Sequence, residues 1–223
     1  MNKEQKLEEL RQKGVKFLPW IGDKYDEGIY YDKDGILCYG NGQGKKVMVL
    51  GESFYWGEDE FSGEVDDKAS MFVYDLIKQV ISENPEFNTR TFTRFENAIA
   101  YENDDRDWDS VGRKNFWNHL IFYDYVQEPL IYPRSSPTEK EFKNSEEAFW
   151  NVLEILQPDI IIAWGMRLYN HLPRKGKRGK TIEGEDYILE TWIYKERIRV
   201  IPIVHPAAPM FSTKRWYDII KKI

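Results

Sequence analysis

Three short apolar runs constrain this chain more than any other feature: Lys46-Val-Met-Val-Leu50, Pro158-Asp-Ile-Ile-Ile-Ala-Trp164 and Val200-Ile-Pro-Ile-Val204. Each reads as a strand buried on both faces, the pattern of the interior of a parallel sheet. Segments with apolar residues at helical spacing separate them. The spacing predicts helices over 3–13, 69–81, 91–101, 145–156 (capped by Asn144 or Ser145), 166–172 and 213–223. A further strand is expected over 120–126, and two β-rich segments over 185–204. Strands alternating with helices imply an α/β fold, here a three-layer α/β/α sandwich with a mainly parallel central sheet.

At 223 residues the chain reads as one domain, 1–223, in which 1–45 form a helix and hairpin extension. The hairpin is expected over 28–39, turning at Asp34-Gly35. Gly40-Asn-Gly-Gln-Gly44 precedes a strand, whereas a phosphate-binding loop follows one and opens a helix, so a plain turn is expected. The acidic stretch 103–109 alternates aspartates as calcium loops do. It has Ser110 where such a loop needs glycine and Phe116 where it needs glutamate, so no calcium site is expected.

A single cysteine, Cys38, excludes an internal disulfide, a cysteine-based zinc site and a four-cysteine iron–sulfur cluster. No cofactor and no metal is expected. The charged amino terminus carries no apolar leader segment, and no run approaches the length of a membrane span. A monomer in a reducing cytoplasm is the expectation. A net charge of −6 argues against strong non-specific binding to nucleic acid. One local exception is Arg174-Lys-Gly-Lys-Arg-Gly-Lys180, where Arg174, Lys175, Lys177 and Arg178 are candidate phosphate contacts, the other reading being a solvated loop.

Open α/β sheets bind ligands at the carboxyl ends of their strands. Two strand-end loops carry chemistry: Gly51-Glu-Ser-Phe-Tyr-Trp56, with a carboxylate and three aromatics, and His205-Pro206, with one of only three histidines. Their order, together with the Asn-bearing aromatic segment around Asn118 and the strand-to-helix passage at Pro158–Gly165, resembles the uracil-DNA glycosylase superfamily over roughly residues 46–223. That family commonly has Gly-Gln-Asp-Pro-Tyr or Gly-Glu-Ala-Pro-Gly in the first motif and His-Pro-Ser in the last.

The resemblance implies a role for each matching position. Glu52 would lie beside the target base and the reacting sugar. Ser53 stands where one branch has a water-activating aspartate, and Phe54 replaces the motif proline. Tyr55 matches the tyrosine that screens 5-methylated bases, Asn118 the asparagine that reads the base edge, and His205 the histidine that stabilises the departing base. Met210 or Phe211 would fill the space left by a flipped base. Apart from the resemblance, Phe54, Tyr55 and Trp56 are aromatics that could stack on a base.

The expected partner is therefore DNA or a nucleotide or nucleobase ligand, and the expected activity is hydrolysis of an N-glycosidic bond. Such a reaction needs negative charge near a cationic sugar, donors near the base carbonyl and stacking aromatics. Two alternatives remain at this point: a non-catalytic binding module of the same fold, and an N-glycoside hydrolase of small nucleosides. A hydrolase built on a Ser–His pair using Ser53 is disfavoured because the loop lacks the second glycine of a nucleophile elbow.

Overall fold

The computed structural model describes residues 1–55, 65–101, 108–130, 132, 135–183 and 188–222. Trp56 and the acidic stretch 103–107 lie outside the described residues. In chain order the elements are α1 (Lys3–Gln12), β1 (Trp20–Ile21), β2 (Ile29–Tyr31), β3 (Leu37–Tyr39), β4 (Val47–Gly51), α2 (Asp67–Ser70), α3 (Phe72–Val80), α4 (Arg90–Ala100), α5 (Ser110–Asn118) and β5 (Leu120–Asp124). They continue with α6 (Glu139–Asn144), α7 (Glu146–Leu156), β6 (Ile160–Trp164), α8 (Met166–His171), β7 (Lys177–Arg178), β8 (Ile182–Glu183), β9 (Ile188–Leu189), β10 (Trp192–Tyr194), β11 (Ile198–Ile203) and α9 (Thr213–Ile220).

The central sheet has the order β1-β5-β4-β6-β11-β10-β7. Its middle strands β5, β4, β6 and β11 are parallel, while β1, β10 and β7 pair antiparallel at the two sides. Alternation along each middle strand divides the core. Val47, Val49, Phe122, Ile162, Ile201 and Ile203 enter one apolar layer. Met48, Leu50, Ile121, Ile161, Ala163 and Val200 enter the other. The first layer is closed by residues of α3, α4, α5 and α9, the second by α1, α6, α7 and α8. Both faces are covered, which is why these strands read as continuous apolar runs. Pro202 fits inside β11 because the ladder to β10 ends at Val200, so that side of the strand needs no further donor.

The predicted helix over 69–81 is interrupted at Met71. The Leu18 amide hydrogen bonds to the Ser70 carbonyl at 2.8 Å, taking that acceptor across to the amino-terminal segment. The helix before α7 was not anticipated; Thr138 and Glu141 cap it reciprocally. The 174–180 segment departs from a plain loop, since Lys177 and Arg178 form β7, the edge strand that pairs with β10. Among the described residues no helix is long and apolar enough to cross a membrane.

Candidate functional site

Four parallel strands deliver their carboxyl ends side by side, and each is followed by a polar group. Glu52 follows β4, Asp124 ends β5, Arg167 lies in the first turn after β6, and His205 follows β11. Gly165, at φ 106°, makes the passage from β6 into α8, a backbone conformation open to glycine. That turn brings Arg167 back over the sheet. Its Nε donates to Glu52 Oε2 at 2.8 Å, its second terminal nitrogen contacts Glu52 Oε1, and the first contacts the Ser136 hydroxyl. Glu52 is thus held by a two-pronged guanidinium contact, with only 13% of its side chain open to solvent.

Asp124 is the most distinctive member of the cluster. It is 4% exposed, and its carboxyl lies over Gly51, where a β-carbon would overlap Oδ1. Burial, then the nearby Glu52 charge, push this carboxyl up to about 7, and no hydrogen bond to the carboxylate offsets them among the described residues. No motif in the sequence singles it out. Its signal was an acidic residue closing an otherwise apolar strand, Leu120-Ile-Phe-Tyr-Asp124.

His205 is fixed by its own turn. The Ala207 amide donates to His205 Nδ1 at 3.1 Å, which leaves the neutral ring its proton on Nε2. The ring meets Trp164 edge-on, with centroids 5.8 Å apart. Desolvation lowers its pKa, Glu52 pulls it back up, and Arg167 lowers it again. The ring nevertheless keeps an exposed surface. A neutral histidine with an Nε2–H donor can stabilise negative charge developing on a departing group.

Other expected residues are sorted by the backbone. Tyr55 is 55% exposed at the rim and bridges the backbone of Leu130. Phe54, its neighbour, points the opposite way into the core, with ring centroids 4.5 Å from Phe17 and 4.6 Å from Phe72. It is therefore a core residue, not a stacking surface. Ser53 is half-buried, and among the described residues no hydrogen bond joins it to His205. Met210 is 78% exposed, whereas Phe211 is buried against Trp216 and is not available as a wedge.

Asn118 does not belong to the cluster. It ends α5 and precedes β5, so it lies at the amino end of the sheet, and its carbonyl accepts from the Lys24 amide at 2.8 Å. A five-residue strand at about 3.3 Å per residue separates it from the Asp124 end by roughly 15 Å. In the basic segment, Lys177 and Arg178 on β7 lie apart, four strand spacings of about 4.8 Å from β4, or roughly 19 Å. There Arg174 stacks over Tyr169 and Trp192, Lys175 pairs with Glu146, and Arg178 lies 3.6 Å from Glu190.

Among the described residues no three His, Cys, Asp or Glu side chains gather in a metal-binding group. A separate cleft of about 270 Å³ opens at the amino ends of β4 and β6, between Val47, Ile160 and Ile220, and shares no residue with the cluster. Compared with known proteins, the chain matches no family model and no curated protein.

Proposed function

We propose that the chain is a uracil-DNA-glycosylase-like protein that takes a nucleobase at the carboxyl ends of β4, β5, β6 and β11 and hydrolyses its N-glycosidic bond. The observation that carries this reading is the electrostatic coupling of a neutral Nε2–H histidine, His205 at the end of β11, to the carboxylate Glu52 at the end of β4, with the end of β6 between them. In the reaction the C1′–N bond breaks with its electrons on the base. Water adds to C1′, and its proton ends on the base. His205 stabilises the charge arriving on the base, and the Glu52 carboxylate faces the cationic sugar. Asp124 takes the base-reading place expected of Asn118. Its protonated form offers one donor and one acceptor, the complement of a uracil-like edge, while its ionised form offers acceptors only. The exposed Tyr55 ring supplies stacking worth about 1–3 kcal/mol, comparable with the few kcal/mol needed to unstack a base.

A second reading is a binding module without turnover. The Arg167 guanidinium neutralises Glu52, and position 53 is a serine with no carboxylate to activate water. Incubation with single-stranded, mismatched and paired uracil oligonucleotides, followed by detection of abasic sites, separates the two. Abasic sites made by wild type but not by Glu52→Gln or His205→Ala are expected. Binding without cleavage selects the module, and cleavage of free nucleosides alone selects a small-molecule hydrolase.

A further inference from the structure

A side chain on α4 holds the loop after His205 from outside. Arg94, on α4, donates from Nη1 to the carbonyls of Pro206 at 2.6 Å and Ala208 at 3.0 Å, and from Nη2 to that of Phe211 at 2.7 Å. The guanidinium carbon also lies 5.1 Å from the centroid of the Phe211 ring. Arg94 is thus bound to three carbonyls of one short loop, a planar fork matched to a curved backbone. Within that loop the Ala208 amide donates to the His205 carbonyl at 2.8 Å, and the Phe211 amide to the Ala208 carbonyl at 3.1 Å. The Ala207 amide, between two carbonyls that Arg94 holds, is the group that bonds His205 Nδ1.

We infer that Arg94 is the positioning residue of this loop: its guanidinium fixes the turn at residues 206–211, so that the Ala207 amide caps His205 Nδ1 and the ring proton is kept on Nε2. Without the fork, three carbonyls lose a cationic donor, the turn opens, and Nδ1 exchanges its fixed donor for water. The neutral ring then distributes its proton over both nitrogens. The effect on chemistry rests on the proposed role of His205. The effect on the ring and the loop does not, so the two can fail separately.

The test is nitrogen NMR of the His205 ring in the full chain, at a pH where the ring is neutral, in wild type, Arg94→Met and Arg94→Lys. Amide exchange at Ala207, Ala208 and Phe211 is read alongside. Wild type should show one tautomer, with the proton on Nε2. Arg94→Met should show both tautomers, and the loop amides should exchange about tenfold faster or more while those of β4 and β6 are unchanged. Arg94→Lys keeps the charge but not the fork and should fall between them. A wild-type ring protonated on Nδ1 overturns the inference. So does a folded Arg94→Met with the His205 signature and loop exchange of wild type. If Arg94→Met does not fold, Arg94→Lys decides: a signature identical to wild type overturns the assignment, and a mixed one upholds it.

Discussion

The Asp124 carboxyl lies against the α-carbon of Gly51, in the space a side chain at position 51 would occupy. The two residues are register partners at the ends of β5 and β4. Glycine is needed here for close approach, not for an unusual backbone angle. Gly51→Ala should therefore cost about 1–3 kcal/mol, the usual range for overpacking a filled interior. It should also displace Asp124 and, under the proposed function, weaken nucleobase binding. Urea unfolding of the variant, read with nucleobase binding, checks both; wild-type stability would show that Asp124 does not fill that space.

Asp124 also gives stability a pH dependence with a definite sign. Its carboxyl titrates at 3.8 ordinarily and is pushed up to about 7 in the fold. Well below pH 4 it is protonated in both states and contributes no penalty. Between about pH 4 and 7 the unfolded chain gains a charge that the folded chain resists, so stability falls as pH rises. The full window is worth on the order of 4 kcal/mol. Asp124→Asn should remove this fall, gaining on wild type from pH 4 to 8 in denaturant melts. Parallel curves for the two proteins would contradict the burial argument.

Much of this architecture is legible in the sequence, because β4, β6 and β11 are apolar runs that only a doubly covered sheet can bury. Glu52 and His205 follow from the same runs, being the first polar groups after a strand. Asp124 was hidden by a boundary: with the strand read on to Val126, an aspartate at 124 looks interior, whereas the strand ends there. Asn118 was misplaced for the converse reason, since its aromatic neighbours belong to the end of α5, upstream of the strand. The two-residue strand β7 is too short and too charged to show any periodicity.

The electrostatic couplings around His205 can be separated by substitution. Glu52 raises its pKa and Arg167 lowers it, on top of the lowering by burial. Glu52→Gln should move the His205 midpoint further down, and Arg167→Met should move it up. Stability should change by no more than about 1 kcal/mol with Arg167→Met, because half of that side chain is exposed. An NMR titration following the three histidines measures the shifts directly. Equal midpoints in all three proteins would mean that Glu52 and Arg167 do not sense His205.

Phe54 and Tyr55 are adjacent, yet they should respond to truncation in opposite ways. Extended backbone sends neighbouring side chains to opposite sides. Phe54 is 7% exposed between Phe17 and Phe72, so Phe54→Ala should cost about 3–5 kcal/mol of stability, as deleting a buried aromatic does. Tyr55 is more than half exposed, so Tyr55→Ala should stay within about 0.5 kcal/mol of wild type in stability. Under the proposed function it should instead weaken binding of a single-stranded oligonucleotide by about 1–3 kcal/mol, the worth of one stacked base. Urea melts and fluorescence titrations on both variants give the comparison. A Tyr55 variant that binds as wild type does would remove stacking from the rim, while leaving the assignment of Phe54 to the core intact.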